Sequence, residues 1–287
     1  PLKKGDFDPF PVPPFLRGAR GDLSLMVKQQ SVTGFELKLT PMGTAACPYT
    51  SQTGILSMML ENSSHKNAQL ALILLVPAAS IGIAMSLFIA PGTVGTTASV
   101  LCGIWLLVLP IAWCVWGDRY QLHLSLPKYQ ELLVGMILGL FMFGIILGTY
   151  SFFGQELIDA ADAKSKVQQM GLNNPAIFSI VQAYFVLINS FIEEFIWRWF
   201  VYKKCEILMP GTKAVFLSAL FFTLHHIIVL AAYTDWRGVI LGSLAVFAAG
   251  AIWSRCYLTY RSLWASYISH AIADLALSII AWQTIFS

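Results

Sequence analysis

Long apolar stretches recur along the chain and are separated by short polar connections. An α-helix rises 1.5 Å per residue, so about 20 apolar residues are needed to cross a hydrocarbon core roughly 30 Å thick. The pattern therefore predicts an all-α, polytopic transmembrane helix bundle with about seven spans. The predicted spans are residues 69–90, 95–116, 131–153, 175–200, 211–232, 237–257 and 262–286.

Residues 1–66 lack this pattern, because they combine several prolines and scattered charges with no sustained apolar periodicity. Such a segment has too little apolar surface to bury. We therefore predict a disordered or poorly ordered cytoplasmic tail over residues 1–66, followed by a transmembrane domain over residues 67–287. The longest connection that we place outside, residues 154–174, predicts either a helix on the membrane surface or a solvated loop with one helical turn.

The composition agrees with the membrane class. Hydrophobic residues make up 57% of the 287 residues and charged residues 11%, against about 25% charged residues in a soluble domain. The net charge of +3 is small and scattered, so we expect no nucleic-acid partner. The five cysteines form no C-x-x-C pair, which argues against a zinc knuckle. No pattern in the sequence indicates an oligomeric state.

Lysine and arginine are concentrated in alternate connections. Counted within about 20 residues of the span ends, the segments before span 1 and between spans 2–3, 4–5 and 6–7 carry eight of them, whereas the intervening segments carry three. Because cytoplasmic loops are enriched in these residues, we expect the N-terminus inside and the C-terminus outside. The eight are Lys66, Arg119, Lys128, Lys203, Lys204, Lys213, Arg255 and Arg261, and the three are Lys164, Lys166 and Arg237.

The interiors of three spans contain ionisable side chains. A charged residue at the centre of a bilayer costs ~2.5–3.5 kcal/mol even on the lenient insertion scale, so such residues face one another or a water-filled cavity. The residues are Glu193, Glu194 and Arg198 in span 4, His225 and His226 in span 5, and His270 and Asp274 in span 7.

Helical geometry groups some of these residues. Glu194 and Arg198 are four residues apart and can form an ion pair on one face, which could serve only to stabilise the helix. Glu193 is rotated by about 100° from Glu194 and is free of that pair. His270 and Asp274 also share a face.

The adjacent histidines, His225 and His226, cannot both face the same direction, so we expect one to act in the site and the other to pack.

One free carboxylate, two or three histidines and an aspartate suit general-base activation of water and stabilisation of an oxyanion. Two other functions use the same residues. A proton-coupled transporter would employ them as a relay, although no repeat of the kind found in transporters is visible. A non-catalytic membrane scaffold or immunity protein would keep them for folding.

Three short motifs occur in order on separate spans. Residues 193–198 match E-E-x-x-x-R, residues 222–226 match F-x-x-x-H, and residues 270–274 match H-x-x-x-N/D. Over roughly residues 175–280 the chain resembles the CPBP family, which comprises the type II CAAX prenyl endopeptidases and bacterial relatives linked to bacteriocin processing and immunity. The resemblance implies an intramembrane protease in a bacterial cell (inner) membrane, acting on membrane-associated proteins or peptides such as CAAX-like or leader-peptide substrates.

The resemblance also implies roles for individual residues. Glu193 would be the general base and His226 its partner in activating water. His270 and Asp274 would stabilise the oxyanion, and Arg198 would hold Glu194.

Two positions depart from a simple match. Phe221 lies four residues before His225, so His225 is the alternative to His226 in the second motif. Asp274 stands where many relatives have Asn. Because a carboxylate donates a hydrogen bond only when protonated, Asp274 could instead orient His270 or bind a metal.

The family is described both as metalloproteases and as metal-independent glutamate proteases. The chain has no H-E-x-x-H signature, but carboxylate and imidazole groups from separate helices can bind Zn²⁺. Our candidate zinc ligands are Glu193, His226 and His270.

Overall fold

The computed structural model describes residues 49–118 and 125–286, with the side chains of residues 49–62 and of Gln155 left aside. The described residues form helices and connections, without a strand. We number the helices α1 to α8, and three of them continue into or contain π-helical turns. They are α1 (Tyr49–Ala84, continuing through Ile89), α2 (Thr93–Ala112, continuing through Asp118), α3 (Tyr129–Leu157), α4 (Ala160–Gln169), α5 (Pro175–Leu208), α6 (Thr212–Tyr233), α7 (Trp236–Tyr260) and α8 (Trp264–Phe286).

Seven of these helices are long and apolar enough to cross a membrane, which confirms the predicted all-α bundle of seven spans. The spans within α2, α3, α6, α7 and α8 begin and end within a few residues of the predicted positions. Two boundaries differ more. α5 extends to Leu208, beyond the predicted end at residue 200, and α1 begins at Tyr49, inside the predicted tail. Residues 49–66 are therefore helical, while the prediction for residues 1–48 lies outside the described residues.

The segment between α3 and α5 forms a helix that packs against protein. Asp159 caps α4 by accepting hydrogen bonds from the backbone N–H groups of Ala161 and Asp162. The apolar side of α4 packs at the ends of α5 and α8, where Ala163 clusters with Phe178 and Ile285. Residues 160–169 thus form a helix of 10 residues, which is longer than the single helical turn of the second predicted alternative.

Helix α5 occupies the middle of the bundle. Its second half, Phe195–Tyr202, is π-helical and buried around its whole circumference. This segment contacts α2, α6 and α7, while residues Ser190–Glu194 contact α8. A helix that is apolar on all sides is expected in the interior of a bundle. The central position of α5 lets one helix present its polar side chains to both α6 and α8.

Helices α3 and α8 pack against each other over much of their length. Two glycines of α3 allow this approach. A Cβ atom at Gly135 would lie 2.8 Å from the backbone oxygen of Ala265, and one at Gly139 would lie 2.8 Å from the Cβ of Ile272. Small residues at such interfaces are typical of membrane helices, whose association depends on close packing. The contact fixes the position of α8, which carries His270.

Polar contacts also fix the turn between α7 and α8. Arg261 has a positive φ of 51°, and its guanidinium donates two hydrogen bonds to the Glu206 carboxylate, at 2.6 and 2.7 Å. This carboxylate raises the pKa of Arg261 above its ordinary value. The next residue, Ser262, donates a hydrogen bond of 2.8 Å to the buried carboxylate of Glu131 at the start of α3. The start of α8 is therefore tied to both α5 and α3.

We predict that Gly139→Leu destabilises the bundle, because the side chain would have to displace Ile272 and push α3 away from α8. Overpacking of this kind costs typically ~1–3 kcal/mol. Gly144→Leu is the matched control, since Gly144 lies on the same helix with no atom within 4 Å of its added Cβ. Thermal unfolding in detergent should show a lower Tm for the first variant only. Equal Tm values for the two variants would contradict this account of the contact.

Candidate active site

The described structure brings the predicted residues of α5, α6 and α8 together, with the His270 imidazole at the centre. Its Nδ1 lies 2.8 Å from Oε1 of Glu194, and because a carboxylate oxygen accepts, Nδ1–H is the donor. Its Nε2 lies 3.7 Å from Oε2 of Glu193 and 3.5 Å from Oδ2 of Asp274. One ring from α8 thus contacts both adjacent glutamates of α5 through opposite nitrogens.

The predicted pair of Glu194 and Arg198 lies at the back of this site. Nη1 of Arg198 is 3.2 Å from Oε1 of Glu194, and both side chains are buried. The guanidinium also lies over the rings of Phe222 and Trp253, at 4.4 and 5.1 Å from their centroids. Cation–π contacts of a desolvated guanidinium stabilise the charge where water is absent. The pair therefore forms a closed wall of the site.

Glu193 has a different environment from Glu194. Its side chain is 19% exposed, whereas that of Glu194 is 0% exposed. Oε1 of Glu193 accepts a hydrogen bond of 2.9 Å from Nδ2 of Asn189. Asp274 is similarly accessible, with its side chain 22% exposed. Of the two adjacent glutamates, only Glu193 can meet a water molecule or a substrate, as its predicted role requires.

His226 offers an unprotonated nitrogen. Its Nδ1 lies 2.9 Å from the backbone oxygen of Phe222, and because a carbonyl can only accept, Nδ1 carries the proton. In the neutral ring, Nε2 then has a free lone pair. A lone pair of this kind is what a proton acceptor or a metal ligand needs.

His225 contradicts the expectation that the adjacent histidines point apart. Its ring stacks on Trp197, with centroids 5.0 Å apart and planes 7° apart, so it does pack, as one of the two was expected to do. However, the rings of His225 and His226 are only 4.1 Å apart. Each imidazole can rotate about two side-chain torsions, and this rotation offsets the divergence of about 100° between adjacent Cβ atoms.

Three residues of the site could hold a metal ion, judged by their geometry and ligand type. One potential ligand atom each from Glu193, His225 and His226 lies within 4.8 Å of the others. A carboxylate with two imidazoles is a ligand set that zinc uses in catalytic sites. This set differs from the predicted one, in which His270 took the place of His225. Nδ1 of His270 instead donates a hydrogen bond to the Glu194 carboxylate.

Three further residues of the site were not identified from the sequence. Asn189 contacts Glu193 as described, and Ser190 donates a hydrogen bond of 2.7 Å to Oδ2 of Asp274. Trp253 stacks on His270 with centroids 4.2 Å apart. None of the three is ionisable, so a search for charge inside the spans passes over them. Asn189 lies four residues before Glu193 and therefore on the same helix face, and this spacing could have identified it from the sequence.

A cavity of about 780 Å³ lies elsewhere, between the start of α4 and the connection from α6 to α7. Its lining includes Asp159, Asp162, Lys166 and Asp235, and none of the predicted site residues. Lys166 is bound to Asp162 and to the backbone oxygen of Ala232. The Asp235 carboxylate accepts hydrogen bonds from the backbone N–H of Gly238 and from the side chain of Arg237, and these contacts lower the pKa of Asp235. These contacts explain the cavity's polar groups without a ligand, so the candidate active site remains the one around His270.

Residues 175–276 match a family model described as "Type II CAAX prenyl endopeptidase Rce1-like". The matched segment covers α5, α6, α7 and the first half of α8, and it contains every residue of the predicted site. Searches of curated proteins and of solved structures gave no significant match.

We predict that Glu194→Gln lowers the amount of folded protein, because Arg198 would be left without its counter-charge in a buried position. Breaking a buried pair in this way costs ~3–5 kcal/mol. Glu206→Gln is the matched control: it removes a carboxylate from the partly exposed Arg261 pair, where ~1 kcal/mol or less is expected. The measurements are membrane abundance and Tm in detergent. If Glu206→Gln lowers both more than Glu194→Gln does, the buried pair lacks the stabilising role assigned to it.

Proposed function

Through residues 175–276 this chain belongs to the type II CAAX prenyl endopeptidase family, and from this premise we propose that it hydrolyses peptide bonds with water activated by Glu193. The observation that carries the proposal is the contrast between the two adjacent glutamates. Glu193 is accessible and lies close to His226, whose Nε2 is unprotonated in the neutral ring, while Glu194 is buried with Arg198 and His270. A general base has to be in contact with water. A carboxylate in an ion pair that stabilises the helix does not need this contact.

In the proposed reaction, Glu193 and His226 hold a water molecule next to the scissile carbonyl. The Glu193 carboxylate takes a proton as the water oxygen attacks the carbonyl carbon. This proton then passes to the departing nitrogen as the C–N bond breaks, which yields a carboxylic acid and an amine. General acid–base catalysis by positioned groups of this kind is typically worth ~10²–10⁴-fold in rate.

His270 is assigned to the developing oxyanion. Its Nε2 faces the accessible side of the site between Glu193 and Asp274. When this nitrogen carries a proton, it can donate to an oxygen whose negative charge grows in the transition state. Glu194 accepts from Nδ1 and thereby fixes the orientation of the ring. Asp274, in this proposal, orients His270 and does not donate to the oxyanion.

A zinc ion is compatible with the same residues. Glu193, His225 and His226 would hold it, and its chemistry when bound is Lewis acidity toward water.

The proposed substrates are membrane-associated proteins or peptides. The site residues lie on helices that cross the membrane, about midway along α5, so a peptide bond has to enter the bilayer region to meet Glu193.

Comparative analysis of new protein termini tests the function. Membranes are prepared from cells that carry wild-type protein or Glu193→Gln, which keeps the size of the side chain but removes the basic carboxylate. We expect at least one membrane-associated cleavage product that is present with wild type and absent with the variant, at equal abundance of the two proteins. Identical sets of termini would contradict the proposal and favour a scaffold, or a transporter if proteoliposomes then show ion flux.

The two histidines should differ in their effect on cleavage. We expect His226→Ala to lower the rate at the identified bond by ~100-fold or more, because it removes the free Nε2. His225→Ala should retain most of the activity, since His225 is 6% exposed and its ring packs on Trp197. The measurement is cleavage per mole of folded protein. A reversed order would transfer the role to His225. Equal losses, together with loss of stoichiometric zinc from both variants, would support a site in which Glu193, His225 and His226 bind the metal.

A further inference from the structure

Helix α5 is irregular in the turn that precedes the segment with the two glutamates. Residues Phe185–Asn189 are π-helical, and a regular turn, Ser190–Glu194, follows them. Single π-helical turns inside α-helices occur frequently at functional sites. Two polar residues stand where these segments meet, Asn189 at the end of the π-helical turn and Ser190 at the start of the regular turn, and their side chains reach different carboxylates. Asn189 contacts Glu193 on its own helix, and Ser190 contacts Asp274 on α8.

We propose, on the basis of the function proposed above, that Asn189 is a positioning residue for Glu193. A free glutamate side chain rotates about three torsions, and its two oxygens are equivalent. The hydrogen bond of 2.9 Å from Nδ2 of Asn189 goes to Oε1 and distinguishes the two oxygens, because Oε2 then points toward Nε2 of His270. Asn189 therefore acts on the reaction through the orientation of the carboxylate.

The polarity of Asn189 supports a specific role. An uncompensated amide inside a membrane helix is unfavourable, and such residues usually bond across or along helices. The Asn189 side chain donates a hydrogen bond within the described structure, and the acceptor is the carboxylate of the proposed general base. If Asn189 served only to fill space, an apolar residue of similar size would do so at lower cost of insertion.

The test compares Asn189→Leu with Asn189→Gln. Leucine has a similar size but no N–H donor, so the carboxylate loses its orientation. We expect kcat to fall by roughly 10–100-fold with KM unchanged, because misplacement of a reacting group by about 1 Å costs on the order of 10²-fold. Glutamine restores an amide donor within reach of residue 193, and this variant should regain a substantial part of kcat.

Gln182→Leu is the matched control. Gln182 is a polar residue of the same helix that accepts a hydrogen bond of 2.8 Å from Ser278 and does not contact Glu193. Its replacement should leave kcat at the wild-type value, with all rates measured per mole of folded protein at the bond identified by comparison of termini.

The outcomes separate this inference from the proposed function. If Glu193→Gln is inactive but Asn189→Leu has wild-type kcat, only the positioning role is wrong. If Asn189→Leu and Asn189→Gln lose activity equally, the amide donor is not what matters, and the inference also fails. If Glu193→Gln cleaves like wild type, the proposed function itself is wrong, and with it the basis for assigning Asn189.

Discussion

Charge inside a membrane has to be compensated by other protein groups, and in this bundle the compensation converges on one imidazole. His270 of α8 contacts Glu194 at 2.8 Å, and its other nitrogen faces Glu193 and Asp274 at 3.7 and 3.5 Å. Because isolated charges at this depth cost several kcal/mol, α5 and α8 cannot separate without exposing them. The close packing of α3 on α8 at Gly135 and Gly139 then holds the ring in place. The remainder of the site depends on this contact between helices.

The same network separates the site into a buried side and an accessible side. Glu194, Arg198 and the rings above them form the buried side, where the guanidinium rests on Phe222 and Trp253. Glu193, His226 and Asp274 form the accessible side. This separation gives the two neighbouring glutamates different surroundings, since Glu194 is buried in an ion pair and Glu193 is partly exposed.

The spans and the i,i+4 pairs could be predicted from the sequence, because they follow from apolar length and helical spacing alone. Glu194 with Arg198, and His270 with Asp274, lie together for that reason. The approach of His225 to His226 could not be predicted, since it depends on side-chain torsions chosen by packing on Trp197. Trp253 stacks on His270 from a span without internal charge, so only the packing of α7 reveals it. The helical residues 49–66 were missed because their apolar content is too low to mark a span.

Cleavage by the purified protein alone tests the central claim most directly. Wild type and Glu193→Gln are each reconstituted into proteoliposomes with a membrane-associated substrate that contains the bond identified in cells, and the products are measured by mass spectrometry. The account predicts that wild type cuts this bond without any other protein, and that folded Glu193→Gln does not. Failure of folded wild type to cut it, or an equal rate with Glu193→Gln, would contradict the assignment of the protein as an endopeptidase that activates water through Glu193.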